Sequence, residues 1–147
     1  MPKELGGQLP TKELLSNGIV ERSNGTINEM ATAMLHHAKL PLTFWPEAVL
    51  TAVYIRNRCI TSGNKSKMTP VEIWSNTKPS VKNFKVFGCN AYIHIQKEDR
   101  DNKLAPKATP GIFLGYDSEK IGYRVYSLTQ KKVVVSRDVQ FSESSFF

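Results

Sequence analysis

Two groups of side chains in this sequence have types and spacing that could do chemistry. One is the carboxylate Glu21, set in the run Asn17-Gly18-Ile19-Val20-Glu21-Arg22-Ser23-Asn24. The other is a set of cations gathered in the second half of the chain: Lys97, Arg100, Lys103 and Lys107 close together, then Arg124, Lys131, Lys132 and Arg137. A carboxylate can ligate a hard divalent cation. Lysine and arginine neutralise phosphates and release the counterions held there. Both features also have plain structural accounts. A glutamate in the first turn of a helix is favoured by the helix macrodipole whatever else it does. Cations interspersed with Glu98, Asp99 and Asp101 can simply keep a small domain soluble.

The charge balance sharpens the second feature. The 147-residue chain carries 20 Lys and Arg against 13 Asp and Glu, a formal net charge of +7. Within residues 78–140 there are twelve bases and six acids, so almost all of the excess lies there. An anionic partner is expected, nucleic acid before an acidic membrane surface. Duplex DNA bound without sequence preference is the specific expectation, through Lys97, Arg100, Lys103, Lys107, Lys131 and Lys132, aided by Arg124 and Arg137 if their strand faces are exposed. Arg56 and Arg58 are the strong cations of an upstream helix, read either as surface charges or as phosphate contacts. No apolar run approaches the roughly 18–20 residues of a membrane span. Cys59 and Cys89 are too few and too far apart for a disulfide framework, which suits a reducing compartment. His36 and His37 stand about 100° apart on a helix and cannot easily share a metal.

The elements that would position these residues follow from periodicity. Residues 1–16 have no repeat long enough to define an element and are expected to be poorly ordered. A first helix is expected from Asn17 or Gly18 to about Lys39, with Val20, Ile27, Met30, Ala31, Met34 and Ala38 on one face and Leu40-Pro41 ending it. Gly25 inside it costs about 1 kcal/mol relative to alanine. Thr43 is placed to cap a second helix whose stripe is Trp45, Ala48, Val49, Ala52, Ile55 and Cys59, and the two should pack as a hairpin. Thr69-Pro70-Val71-Glu72 is a capping box that starts a short helix through Ile73-Trp74, expected to pack and to stop near Asn76. Residues 77–83 then read as a linker. Beyond it the period changes to that of strands, at 84–87, 91–95, 112–116, 123–126 and 132–139, which implies a small sheet or barrel over residues 84–143. The helical and β parts should be separable.

Several of these stretches together resemble the integrase region of copia-type retrotransposon Pol polyproteins. The first run matches the pattern NG-x-x-E-R-x-N. Leu40-Pro41 through Phe44-Trp45-Pro46-Glu47-Ala48-Val49, Tyr54 through Asn57-Arg58, and Thr69-Pro70-x-Glu72-x-Trp74 continue it in order. Phe87-Gly88-Cys89-x-Ala91-Tyr92, Lys103-Leu104-x-Pro106-Lys107-Ala108, Phe113-Leu114-Gly115-Tyr116, Gly122-Tyr123-Arg124-Val125-Tyr126 and Ser136-Arg137-Asp138-Val139-x-Phe141 are similar to the retroviral-polymerase SH3-like domain that follows the catalytic core. Gly25 departs from the pattern, which usually has a basic residue there.

The resemblance implies an α+β fold: a helical hairpin over residues 17–76, the last helices of a ribonuclease-H-like integrase core, then an SH3-like β-barrel. It implies that Glu21 is the third of three carboxylates that hold Mg²⁺ or Mn²⁺ for DNA strand transfer. There is no Asp before Asp99, so the other two carboxylates cannot come from the front of this chain. The expectation is therefore an integrase fragment concerned with DNA integration and nucleic-acid binding, catalytically incomplete by itself, with Glu21 a vestigial ligand and no stably bound metal. The alternatives are a non-enzymatic SH3-like protein-interaction module and a degenerate remnant without selected function. The implied partners are DNA and, through exposed apolar surface on the two helices, a second copy or the rest of an integrase. No membrane or small-molecule substrate is expected, and the resemblance implies a nuclear location although no targeting signal is recognised.

Overall fold

The computed structural model describes residues 11–62, 64–119 and 121–147, with 11–17 as backbone only. The expected disorder of residues 1–16 lies outside the described residues for 1–10, while 11–16 are helical in backbone, the start of α1. Helix α1 spans Thr11–Ala38, so Asn17-Gly18 is helix interior rather than a helix start. Beta-carbons added at Gly18 or Gly25 would meet nothing, which shows that both glycines face open space.

α1 stops because Lys39 turns left-handed at φ 54°. The Leu40 N–H then reaches the Leu35 carbonyl at 3.1 Å and the Lys39 N–H reaches that of His36 at 3.2 Å. Those two bonds satisfy the last carbonyls in a Schellman arrangement, with Pro41 just beyond. A 3-10 turn at Leu42–Phe44 leads into α2, Trp45–Asn57. Thr43 therefore lies inside the turn, and the residue before α2 is Phe44, without a side-chain cap. Helix α3, Pro70–Ser75, forms as the capping box requires: Thr69 Oγ1 accepts from the Glu72 N–H, and the Glu72 carboxylate accepts from the Thr69 N–H. It ends at Asn76, left-handed at φ 53°.

Five antiparallel strands follow: β1 Asn90–His94, β2 Ala108–Tyr116, β3 Tyr123–Ser127, β4 Lys132–Ser136 and β5 Val139–Ser142. Their order in the sheet is β4-β3-β2-β1-β5. The expected strand at 84–87 is absent and the expected last strand is two. Phe84 to Phe87 look strand-like in sequence because they feed different surfaces. Phe87 enters the core under the helices, Val86 packs inside the sheet, and Phe84 meets Tyr54 and Tyr116. The barrel is not closed, since β4 and β5 are the two edges and do not pair. Yet only Arg137-Asp138 joins them, so the Cα atoms of Ser136 and Val139 can be no more than about 11 Å apart. The sheet must curl strongly, bringing its edges near one another.

β2 is buried on both faces, which explains its continuous apolar run. Ile112 and Leu114 point to the helices and join Ala31, Leu35, Ala38, Ala48 and Phe87 in one core. Phe113 points into the curl with Cys89, Ala91 and Val125, ringed by Tyr116, Tyr123, Val139 and Phe141. Helices and sheet thus share a core. Two glycines permit their close approach. A Cβ on Gly88, at φ 79°, would collide with the Ala38 Cβ, and one on Gly115, at φ 136°, with Thr51 Oγ1. Small residues on the facing helices, Ala38, Ala48, Thr51 and Ala52, complete that contact. Thr51 is buried because its hydroxyl donates to the Leu114 carbonyl at 2.8 Å, beside the β2 irregularity between Phe113 and Gly115.

Candidate nucleic-acid interface

The pairing registers sort the cations into groups. His94 lies opposite Ala108 and Ser127 opposite Lys132, so the β1–β2 loop and the β3–β4 turn emerge from the same end of the sheet. The Leu128 N–H donates to the Pro110 carbonyl at 3.1 Å and ties the two segments together. Lys97, Lys103, Lys107, Lys131 and Lys132 are therefore neighbours in the fold, and all are exposed. Lys131 is held left-handed, at φ 52°, in the turn.

Arg100 belongs to the same loop but has structural work. Its guanidinium donates to the Ile95 carbonyl at 3.1 and 2.8 Å and lies 3.4 Å from His94 Nε2, folding the loop back on β1. Glu98, Asp99 and Asp101 share the exposed loop, so the positive surface is interrupted. Asp138 joins them, its carboxylate accepting from Gln96 at 3.4 Å, so five lysines face four carboxylates and this end of the sheet is only mildly basic.

Arg124 is not on that surface. It leans from β3 to α2 and donates to both Glu47 oxygens at 2.9 and 2.7 Å, with Asp117 at 3.8 Å on its other side. The hydrogen bond to Glu47 raises the guanidinium pKa further, so the group stays charged. Arg56 is likewise engaged, donating to the Ser23 carbonyl at 3.0 Å and touching its hydroxyl, which fastens α2 to α1. Arg58 lies 3.5 Å over the Tyr54 ring and donates to the Tyr54 carbonyl at 3.2 Å. Arg137, in the β4–β5 link, is exposed. Tyr123 pairs with both Tyr116 and Ser136, which puts the β2–β3 turn at the end of the sheet opposite the lysines and starts the β4–β5 link beside it; the link then crosses back, since the carbonyl of Asp138, the residue after Arg137, accepts the His94 N–H at 2.9 Å.

Glu21 is exposed on α1. Among the described residues there is no group of three or more His, Cys, Asp or Glu able to hold a metal ion. Two-metal chemistry needs several carboxylates converging on ions about 3.5–4 Å apart. The donor set around Glu21 does not fit such a centre, and no catalytic step is assigned to it. His36 and His37 are exposed, and the His37 ring stands edge-on to Phe146 at 5.2 Å. Cys89 is a core thiol, pushed by burial up to about 11, whereas Cys59 lies exposed. Trp74, expected to pack, is 92% exposed, and Ile73 beside it is 54% exposed. Among the described residues no helix is long and apolar enough to cross a membrane.

Sequence reasoning missed the partners of Arg124 and the stack of Arg58, Tyr54 and Tyr116. The Tyr54 and Tyr116 rings are parallel within 12° with centroids 4.1 Å apart. Tyr116 is further fixed by accepting the Lys85 N–H at 2.9 Å, and burial lifts its hydroxyl pKa to about 12. The only sequence signal for the Arg124 pair was charge complementarity with Glu47, too common to select one pair among many.

Comparison with known proteins adds the context. The model of the retroviral polymerase SH3-like domain matches residues 89–147. The chain is 48% identical over 128 residues to the retrovirus-related Pol polyprotein from transposon TNT 1-94 of Nicotiana tabacum, covering 87% of this chain and 10% of that protein. It is 33% identical over 130 residues to the Pol polyprotein from transposon RE1 of Arabidopsis thaliana, covering 88% of this chain and 9% of that one. An uncharacterized mitochondrial protein of Arabidopsis thaliana is 36% identical over 88 residues, 60% of this chain and 69% of that protein. The chain thus spans about a tenth of the length of the Pol polyproteins it matches. No solved structure matches.

Proposed function

The chain belongs to the retrovirus-related Pol polyproteins of plant transposons, with their SH3-like domain over residues 89–147, and from this we propose that it is the DNA-holding part of a copia-type integrase. In this reading it contributes to DNA integration by gripping duplex backbone rather than by chemistry. The observation that carries it is the convergence of Lys97, Lys103, Lys107, Lys131 and Lys132 on one end of a rigid sheet. Such an array neutralises phosphates without reading bases, because its members are long cations on loops with nothing shaped to enter a groove. Strand transfer itself would need Mg²⁺ or Mn²⁺ and carboxylates beyond Glu21, supplied by other parts of an integrase. A nuclear site of action follows from the chromosomal target.

The test is salt-dependent binding to duplex DNA. Three to five phosphate contacts give a slope of log affinity against log salt of about −3 to −4.5. Reversing Lys103 and Lys107 to Glu should lower both the affinity and the slope. Unchanged values in a folded double variant would sink the duplex reading. A protein-interaction role would then lead, favoured by the exposed Ile73 and Trp74 on the well-capped α3.

A further inference from the structure

The end of the sheet opposite the lysines carries a different kind of surface. A cavity of about 360 Å³ lies between the end of α2, the β2–β3 turn and the β4–β5 link, bordered by Tyr54, Arg58, Tyr116, Tyr123, Ile121 and Arg137. That volume is within the range of small-ligand clefts, about 300–1,000 Å³. A second cavity of about 390 Å³ adjoins it and shares Ile121 and Arg137. Arg137 therefore stands between two consecutive spaces.

The wall of the first cavity is already a stack. Tyr116 lies on Tyr54 at 4.1 Å, and the Arg58 guanidinium lies on the other face of Tyr54 at 3.5 Å. The stack is held from three sides: the Lys85 N–H bonds the Tyr116 hydroxyl, Arg58 donates to the Tyr54 carbonyl, and Phe113 meets Tyr116 edge-on at 5.3 Å. A planar guanidinium fixed in this way is a platform for another planar group, and unpaired nucleobases stack on arginine planes as they do on aromatic rings. Base pairs inside a duplex keep their faces covered and cannot use it.

We propose that this pocket binds single-stranded nucleic acid, one unpaired base stacking on the Arg58 side of the Tyr54–Tyr116 stack and the phosphate to the next nucleotide meeting Arg137. The site rests on the nucleic-acid reading above; its Tyr54–Arg58 wall lies by the β2–β3 turn, away from the lysine loops, while Arg137 leads on toward them through Asp138. Asp117 and Glu119 line another wall, with Asp117 turned toward Arg124 at 3.8 Å. Those carboxylates repel phosphate and so direct the backbone to the Arg137 side. They also disfavour an acidic peptide, whose carboxylates would have no base-like face to offer the stack. A chain holding a duplex at one end and an unpaired strand at the other fits a junction between paired and frayed DNA.

The test uses the full chain, a fluorescein-labelled single-stranded oligonucleotide and a duplex of the same sequence, read by fluorescence anisotropy, with thermal melting as the folding control. Arg137→Glu, at an exposed position, should weaken the single strand about tenfold and leave duplex affinity nearly unchanged. Arg58→Lys keeps the charge but loses the plane, and should weaken the single strand severalfold. Lys103→Glu with Lys107→Glu should do the reverse, weakening mainly the duplex. If Arg137→Glu melts as wild type and binds the single strand as wild type, the pocket is not the site. Parallel loss of both ligands in Arg137→Glu, or displacement of the oligonucleotide by a phosphopeptide of equal affinity, would also overturn it. Failure of the wild-type chain to bind duplex at all would instead sink the broader reading.

Discussion

Glu47 on α2 and Arg124 on β3, 77 residues apart in sequence, form a two-point ion pair at 2.7 and 2.9 Å that locks the helices to the sheet. Both side chains are largely shielded, at 16% and 27% exposure, so the pair is not an ordinary surface contact. Removing one partner leaves the other charge half-desolvated with donors or acceptors unmet. Glu47→Gln is expected to cost about 1.5–3 kcal/mol in a urea titration, as for loss of a hydrogen bond to a charged group. Because the bond spans the shared core, helical and sheet signals should still fall together at one lowered midpoint. Two separate transitions, by far-UV circular dichroism and tyrosine fluorescence, would restore the picture of independent parts.

Gly115 gives a sharper steric test. Its φ of 136° is strained for any L side chain, and a Cβ there meets the Thr51 hydroxyl that bonds Leu114. Gly115→Ala should cost at least about 2 kcal/mol, combining backbone strain with displacement of a buried hydroxyl. Adding Thr51→Ala relieves the collision but not the φ, so the double variant should recover only part of the loss. Full recovery would show that the backbone geometry costs nothing.

Alkaline pH should destabilise the protein as two buried groups are made to ionise. Burial raises Tyr116 from 10.0 to about 12 and Cys89 from 9.0 to about 11. Each group keeps its proton longer in the folded state than in the unfolded chain, so the unfolded state binds fewer protons between those values. Stability from these groups is fully present below pH 9 and declines as pH climbs through 9–12. Tyr116→Phe should flatten the upper part of that decline while sacrificing the bond to the Lys85 N–H. A denaturation midpoint that stays level from pH 8.5 to about 11.5 would contradict the assignment.

Much of this was legible in the sequence because it is local. Thr69 and Glu72 cap α3 through bonds three residues apart, and a pattern of that range is visible without a structure. The β2 and β3 strands were visible for the same reason, as runs of apolar and β-branched residues. Phe84 to Phe87 misled because alternation records burial, and here two cores and an aromatic stack bury successive residues without any strand. The partner of Arg124 was hidden because contact between α2 and β3 is decided by the curl of the sheet. The same holds for the stack at Tyr54, whose members lie on α2 and β2. Glu21 was conspicuous for its motif, yet its surroundings, which decide whether it can hold metal, are not written in its neighbours.

The pairing of β5 with β1 has a consequence for how the chain is made. Ile93 sits opposite Val139 and Asn90 opposite Ser142, so the first strand of this sheet to be made is completed by the last. Until then β1 has a bare edge, and the curl around Phe113 lacks Val139 and Phe141, two of its walls. Non-local pairing of this kind folds slowly and leaves apolar surface open in the meantime. Phe146 packs against both cores, so even the last few residues belong to the closing step. A cut that removes residues 139–147 leaves an unfinished sheet, not a slightly shorter one.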